Sequence, residues 1–231
     1  MRKILKRITR FFLYTLTAVM ISTALARAVP LSGDYSDQQK SAAMSVEQAR
    51  HHINTLGERC ISHDNSDYTL RFLLHLTAID NMDVTLPADK ILATLTPALK
   101  EHLAQQLRHE VDPLEGTVAI CESFKADLHQ GRLDYAYTNP EQSKILRDIF
   151  SADETMRVSK RDQDIKAGCL KNRYNNGARA FDETLGQCEC MLKAIKRGAS
   201  DPQIDSWLAS LDKTPPWWAV VMTDIMQCQP R

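Results

Sequence analysis

FDETLGQCECMLKAIKRG, residues 181–198, is the stretch whose reading settles the fold class. Phe181, Leu185, Cys188, Leu192 and Ile195 recur in alternating steps of four and three, which is one face of an α-helix. Asp182 and Glu183 at one end, and Lys193, Lys196 and Arg197 at the other, suit the helix dipole. Gly198 closes the run. Cys188 and Cys190 thus stand two positions apart on a helix, where side chains diverge by about 200°. A disulfide needs its Cβ atoms about 4 Å apart. The two cysteines cannot bond to each other while the segment is helical, so each must reach a different partner on an opposite side. The helix is expected to act as a post stapled to both neighbours.

The remaining cysteines are Cys60, Cys121, Cys169 and Cys228. Folding the chain at Asn175-Asn176-Gly177 places Cys169 opposite the region of Cys188. Cys169–Cys188 with Cys190–Cys228 is the favoured arrangement, and the swapped pairing is the alternative. Cys60 and Cys121 pair by elimination. The competing reading of the C-x-C is thiol–disulfide exchange or soft-metal handling. Exchange chemistry needs an exposed thiolate of low pKa, commonly in C-x-x-C at a helix N-terminus. Here both cysteines are in mid-helix beside Glu189, whose charge raises a thiol pKa. Zinc sites carry two C-x-x-C-like or H-x-x-x-H-like pairs, which this chain lacks. Neither a metal nor a cofactor is expected.

An even cysteine number points to an oxidising compartment, and the N-terminus agrees. Arg2, Lys3, Lys6, Arg7 and Arg10 precede an apolar run from Phe11 to Ala26, and Ala26-Arg27-Ala28 follows. A basic start, a short apolar run and an A-x-A site make a secretory signal peptide, with cleavage expected after Ala28. The apolar run is shorter than the roughly 20 residues that span a bilayer, so no stable membrane anchor is expected after cleavage. The whole chain has 29 basic and 29 acidic residues. The signal takes six of the basic ones and none of the acids, which leaves the mature chain at −6. An acidic body does not attract nucleic acid or an anionic membrane surface.

Outward from the post, helical signals recur. Ala42, Val46, Ala49, Ile53, Leu56 and Cys60 form one stripe, with Ser45 and Gln48 as a capping box near its start. Asp64-Asn65-Ser66 breaks the chain before Leu70, Leu73, Leu74 and Ile79. Pro87 and Pro97 suit first-turn positions, with Thr96 as an N-cap. Leu99, Leu103, Leu107 and Val111 stripe another helix. Asp112-Pro113 opens one carrying Val118, Cys121, Phe124 and Leu128, with Gly131 as its left-handed terminator. Asn139-Pro140-Glu141-Gln142 opens the next. The polar stretch 151–159 reads as a domain boundary, Ser159 as the start of a helix, and Asp201-Pro202 and Thr214-Pro215 as caps of two short ones. No stretch alternates long enough to make a sheet. The expected fold is an all-α, disulfide-stapled helical bundle of about nine or ten short helices. A flexible 29–35 leads into an N-terminal helical domain, 36–155, and a cysteine-rich C-terminal helical domain, 156–231.

No catalytic constellation stands out. His51-His52 are adjacent on a helix and diverge by about 100°, which suits a solvated face. His102 and His109 lie two turns apart on the edge of an amphipathic helix, too far to share one metal. Acids such as Asp162, Asp164, Glu183 and Asp205 suit a charged helix surface. H-E-x-x-H, G-x-S-x-G and phosphate- or calcium-loop patterns do not occur. Trp217-Trp218, behind Pro215-Pro216, is the most unusual local feature. Tryptophan is enriched at binding hot spots, and adjacent tryptophans on a regular helix cannot both face one core. One is expected in the core and the other at a surface. Tyr135 and Tyr137, at a helix connection, are weaker candidates of the same kind. The functional expectation is an exported, periplasmic or secreted, non-catalytic protein working by protein–protein contact, such as an inhibitor, an immunity-type protein or an envelope accessory. Thiol–disulfide or metal handling through Cys188 and Cys190 is the alternative.

Overall fold

The computed structural model of the protein describes residues 35–63, 68–111, 118–178, 180–210 and 214–228. The export signal and cleavage site expected from the sequence, the Asp64–Ser66 break and the expected Asp112-Pro113 helix start lie outside them. Among the described residues there are eleven helices and no strand. They are α1 (Asp37–His63), α2 (Tyr68–Asp80), α3 (Met82–Ala93), α4 (Pro97–Val111), α5 (Val118–His129), α6 (Tyr135–Thr138), α7 (Pro140–Ala152), α8 (Glu154–Asn175), α9 (Phe181–Gly198), α10 (Asp201–Ser210) and α11 (Trp218–Met226).

Three apolar clusters organise these helices. The first gathers around the long α1, through Ala42, Ala43, Val46, Ile53, Leu56 and Cys60. Against these lie Leu70 of α2, Val84, Ala88 and Ile91 of α3, Phe124 and Leu128 of α5, Tyr135 and Leu146. The second joins Tyr68, Phe72, Leu76 and Ile79 of α2 to Ala167 and Leu170 of α8 and Cys188 of α9. The two sets of residues on α2 follow from its 3.6-residue period, so this helix is a wall shared by both clusters. The third cluster is C-terminal: Ile165, Ala194, Ile195, Ala199, Ile204 and Val221. The stretch 151–159, whose polarity reads as a domain boundary, is mostly helix. Only Asp153 interrupts it, and the Asp153 carboxylate caps α8 by accepting from the Met156 N–H at 3.1 Å. Ser159 is therefore inside α8 rather than at its start.

Other helix starts show how local rules chose among similar sequences. The capping box forms at Ser36 and Gln39, not at Ser45 and Gln48: Ser36 Oγ accepts from the Gln39 N–H at 3.2 Å, and Gln39 Oε1 accepts from the Ser36 N–H at 2.9 Å. Both sites read S-x-x-Q, but the apolar face already begins before Ser45, with Ala42 and Ala43 buried. At α10 the capping residue is Ser200, whose N–H donates to Gln203 Oε1 at 2.8 Å, so Asp201 is the first helical residue rather than the cap. Thr96 does cap α4, its Oγ1 accepting from the Leu99 N–H at 3.4 Å. Asn139 precedes α7 without a side-chain cap bond, and Pro140 takes the first turn. Pro87 lies inside α3 and is buried, because α3 starts directly after Asn81. Gly131 (φ 66°) and Gly177 (φ 91°) end their helices in the left-handed region, where a Cβ is disfavoured.

Asn81 holds the α2–α3 corner. It is 2% exposed. Its Nδ2 donates to the Thr77 carbonyl at 2.9 Å, and its Oδ1 accepts from the Tyr135 N–H at 2.8 Å. One side chain thereby ties the corner to α6. Asn81→Ala is expected to lower stability by about 2 kcal/mol, because a buried N–H loses its acceptor. Amide exchange at Tyr135 should accelerate in the same variant, and unchanged exchange there would show that the bond carries no weight.

Candidate functional site

The C-terminal helices bring together most of the residues singled out from the sequence. Cys188 bonds to Cys169 and Cys190 to Cys228, while Cys60 bonds to Cys121. Helical divergence at the C-x-C has the expected outcome: α9 is tied to α8 on one side and to the turn after α11 on the other. No cysteine among the described residues is free. Gly198 faces Val221, and Cys190 meets Cys228, so α11 runs antiparallel to α9. A Cβ at Gly198 would collide with Val221 Cγ2. The absence of a side chain there is what lets the two helices approach.

Trp217 and Trp218 do not divide between core and surface. Both are half-buried and pack on the third cluster. Both also meet Trp207 of α10, with ring centroids 5.6 Å and 5.3 Å away, and lie 5.7 Å from each other. The divergence rule fails because Trp217 is the N-cap and Trp218 the first residue of α11, before a regular turn is established. Trp207, on a different helix, is broad enough to touch both. It escaped the sequence reading because no local pattern marks it.

The paired tyrosines separate. Tyr135 is 4% exposed and belongs to the first cluster. Burial drives its phenol above the ordinary range. It is a core residue, whereas Tyr137 is 72% exposed.

The outward side of α11 is the least expected surface. Val220 is 70% exposed, Met226 62% and Met222 37%. Ala219, Met222, Thr223 and Met226 follow the i, i+3, i+4, i+7 pattern of one face, and all four are exposed. None is charged. The one charged residue of α11, Asp224, sits on the flank and pairs with Arg197 at 3.2 Å. The signal is legible in outline: a nine-residue helix with seven apolar side chains spread around its axis cannot bury every side against one neighbour.

An ionic knot braces this region. Arg161 of α8 donates to Asp162 at 2.7 Å, to Asp201 at 2.5 Å and to Asp205 at 2.9 Å. Asp162, 8% exposed, also accepts from Lys196 of α9. Burial works against the Arg161 charge, but the hydrogen bonds to its three carboxylates outweigh that and hold its pKa above the ordinary value. The knot joins α8, α9 and α10.

A solvent-open groove of about 790 Å³ lies between α1, α3, α7 and α8, with Lys90 donating to Asp153 at 2.8 Å on its wall. In the second cluster, His75 packs edge-on to Phe181 with centroids 5.7 Å apart. Its Nε2 is buried without a hydrogen-bond partner. Burial, then the nearby Lys166, lower its pKa. His102, expected at an exposed edge, is half-buried. Among the described residues no group of three or more His, Cys, Asp or Glu could hold a metal ion, and no helix is long and apolar enough to cross a membrane. No protein-family model, no curated protein and no solved structure matches the chain.

Proposed function

We propose that this is an exported, non-catalytic helical protein that works by protein–protein contact, with the outward face of α11 as its contact surface. The observation that carries the reading is the uncharged face of Ala219, Val220, Met222, Thr223 and Met226, exposed beside three mutually packed tryptophans. Exposed apolar patches on otherwise polar proteins mark interaction sites. The partner this face fits is a protein with an apolar, uncharged patch of its own, because nothing on it would pair with phosphate or carboxylate. An inhibitor, an immunity-type protein or an envelope accessory all work this way. Export is supported by the three disulfides and by the basic, apolar and A-x-A order of residues 1–28.

The test is capture from an envelope extract with the native protein and with the Val220→Asp/Met226→Asp variant. Both positions are exposed, so the change should leave stability within about 0.5 kcal/mol. A partner recovered by the native protein should bind the variant at least about tenfold more weakly. Equal recovery by both proteins, or no partner for either, would defeat the reading.

A further inference from the structure

The three disulfides differ in depth. Cys60 is 3% exposed and Cys188 is fully buried, so two of the bonds have one end in an apolar cluster. Cys190 and Cys228 are both half-buried, which makes theirs the bond with neither end in a core. Cys228 also differs in setting. It lies in the turn after α11, whereas the other five cysteines lie within helices. The bond carries a different burden as well. Besides it, α11 is held by Val221 in the third cluster, by the half-buried Trp217, Trp218 and Ile225, and by the exposed Arg197–Asp224 pair.

We propose that Cys190–Cys228 is a selective thiol-exchange site, opened by a dithiol reductant while the other two bonds stay closed, and that opening it frees α11 from α9. The chemistry is a two-step exchange. A thiolate of the dithiol attacks Sγ of Cys228 and forms a mixed disulfide. Sγ of Cys190 leaves with the bonding pair and takes a proton from solvent. The second thiolate of the reductant then attacks the reductant sulfur of the mixed disulfide, and Cys228 leaves and is protonated. Two electrons pass from the dithiol to the protein. The reductant ends as a disulfide and both cysteines end as thiols. Attack falls on Cys228 because it lies in a turn rather than within a helix, while Cys190 is flanked by helical turns of α9 on both sides.

Once the bond opens, α11 keeps only Val221, its half-buried side chains and the Arg197–Asp224 pair, and a helix of nine residues has little stability of its own in water. It then leaves α9, and the tryptophan contacts go with it. This inference does not depend on the contact surface proposed above.

The experiment titrates the native protein with dithiothreitol, traps thiols with iodoacetamide and maps the labelled peptides, while tryptophan emission is followed. Cys190 and Cys228 should be labelled at a reductant concentration about tenfold below that which opens the other bonds. Tryptophan emission should change in that same step. First labelling at Cys60 and Cys121 or at Cys169 and Cys188, or simultaneous release of all six thiols, would overturn the selectivity. Labelling of Cys190 and Cys228 with unchanged emission would overturn the release of α11.

Discussion

Replacing Cys60 and Cys121 together by alanine should lower the unfolding free energy by about 4 kcal/mol, in the chain-entropy account of disulfides. The bond joins positions 61 residues apart, the longest separation of the three, and the loop it closes contains α2, α3 and α4. Without it the unfolded chain gains conformations that the folded chain does not. The folded state loses less than the unfolded state gains, because alanine keeps the Cβ and only the two sulfur atoms go, although that of Cys60 is packed in the first cluster. Denaturant unfolding of the double variant, with the other two bonds intact, measures the effect. A loss under about 1 kcal/mol would mean that the unfolded state is already compact around this loop.

Asp162→Ala should be the next most damaging change, at about 3 kcal/mol. The Asp162 carboxylate accepts from both Arg161 and Lys196, and removing it takes one acceptor from a guanidinium whose side chain is only 10% exposed. Lys196 is 44% exposed and returns to water at little cost. Arg161 keeps Asp201 and Asp205, which holds the loss below that of an orphaned buried charge. A Tm measurement decides: no shift would show that Arg161 swings out to solvent and that the knot is dispensable. Acid should loosen the same knot. The hydrogen bond from Arg161 holds the Asp201 carboxyl below its ordinary value of 3.8. Its stabilising effect is therefore full above that value and is lost as pH falls through the lowered one.

The fold class was legible because helical periodicity and the C-x-C constrain each other. Once residues 181–198 are a helix, Cys188 and Cys190 need separate partners, and the pairing seen in the structure was the favoured arrangement. Helix starts were less legible. S-x-x-Q occurs at both Ser36 and Ser45, and only the burial of Ala42 and Ala43 selects the first. Asp153 escaped notice because one carboxylate accepting from Met156 is enough to end one helix and begin the next. The site was legible in part. Trp217 and Trp218 announced themselves by adjacency, but Trp207 joins them through tertiary packing alone. Tyr135 and Tyr137 look alike in sequence and differ only in which one a four-residue helix turns inward. Asn81 carries no motif, because its value lies in an N–H that is 54 positions away.

The order of the disulfides along the chain has a consequence for biosynthesis. First joins second, third joins fourth, and fifth joins sixth. No bond straddles another. A chain threaded from its N-terminus into an oxidising space, and oxidised as it arrives, would meet each correct partner as the very next cysteine to appear. Nearest-neighbour oxidation alone yields the native connectivity. In that order of events no wrong bond has to form on the way, since the simplest sequence of oxidations is also the right one.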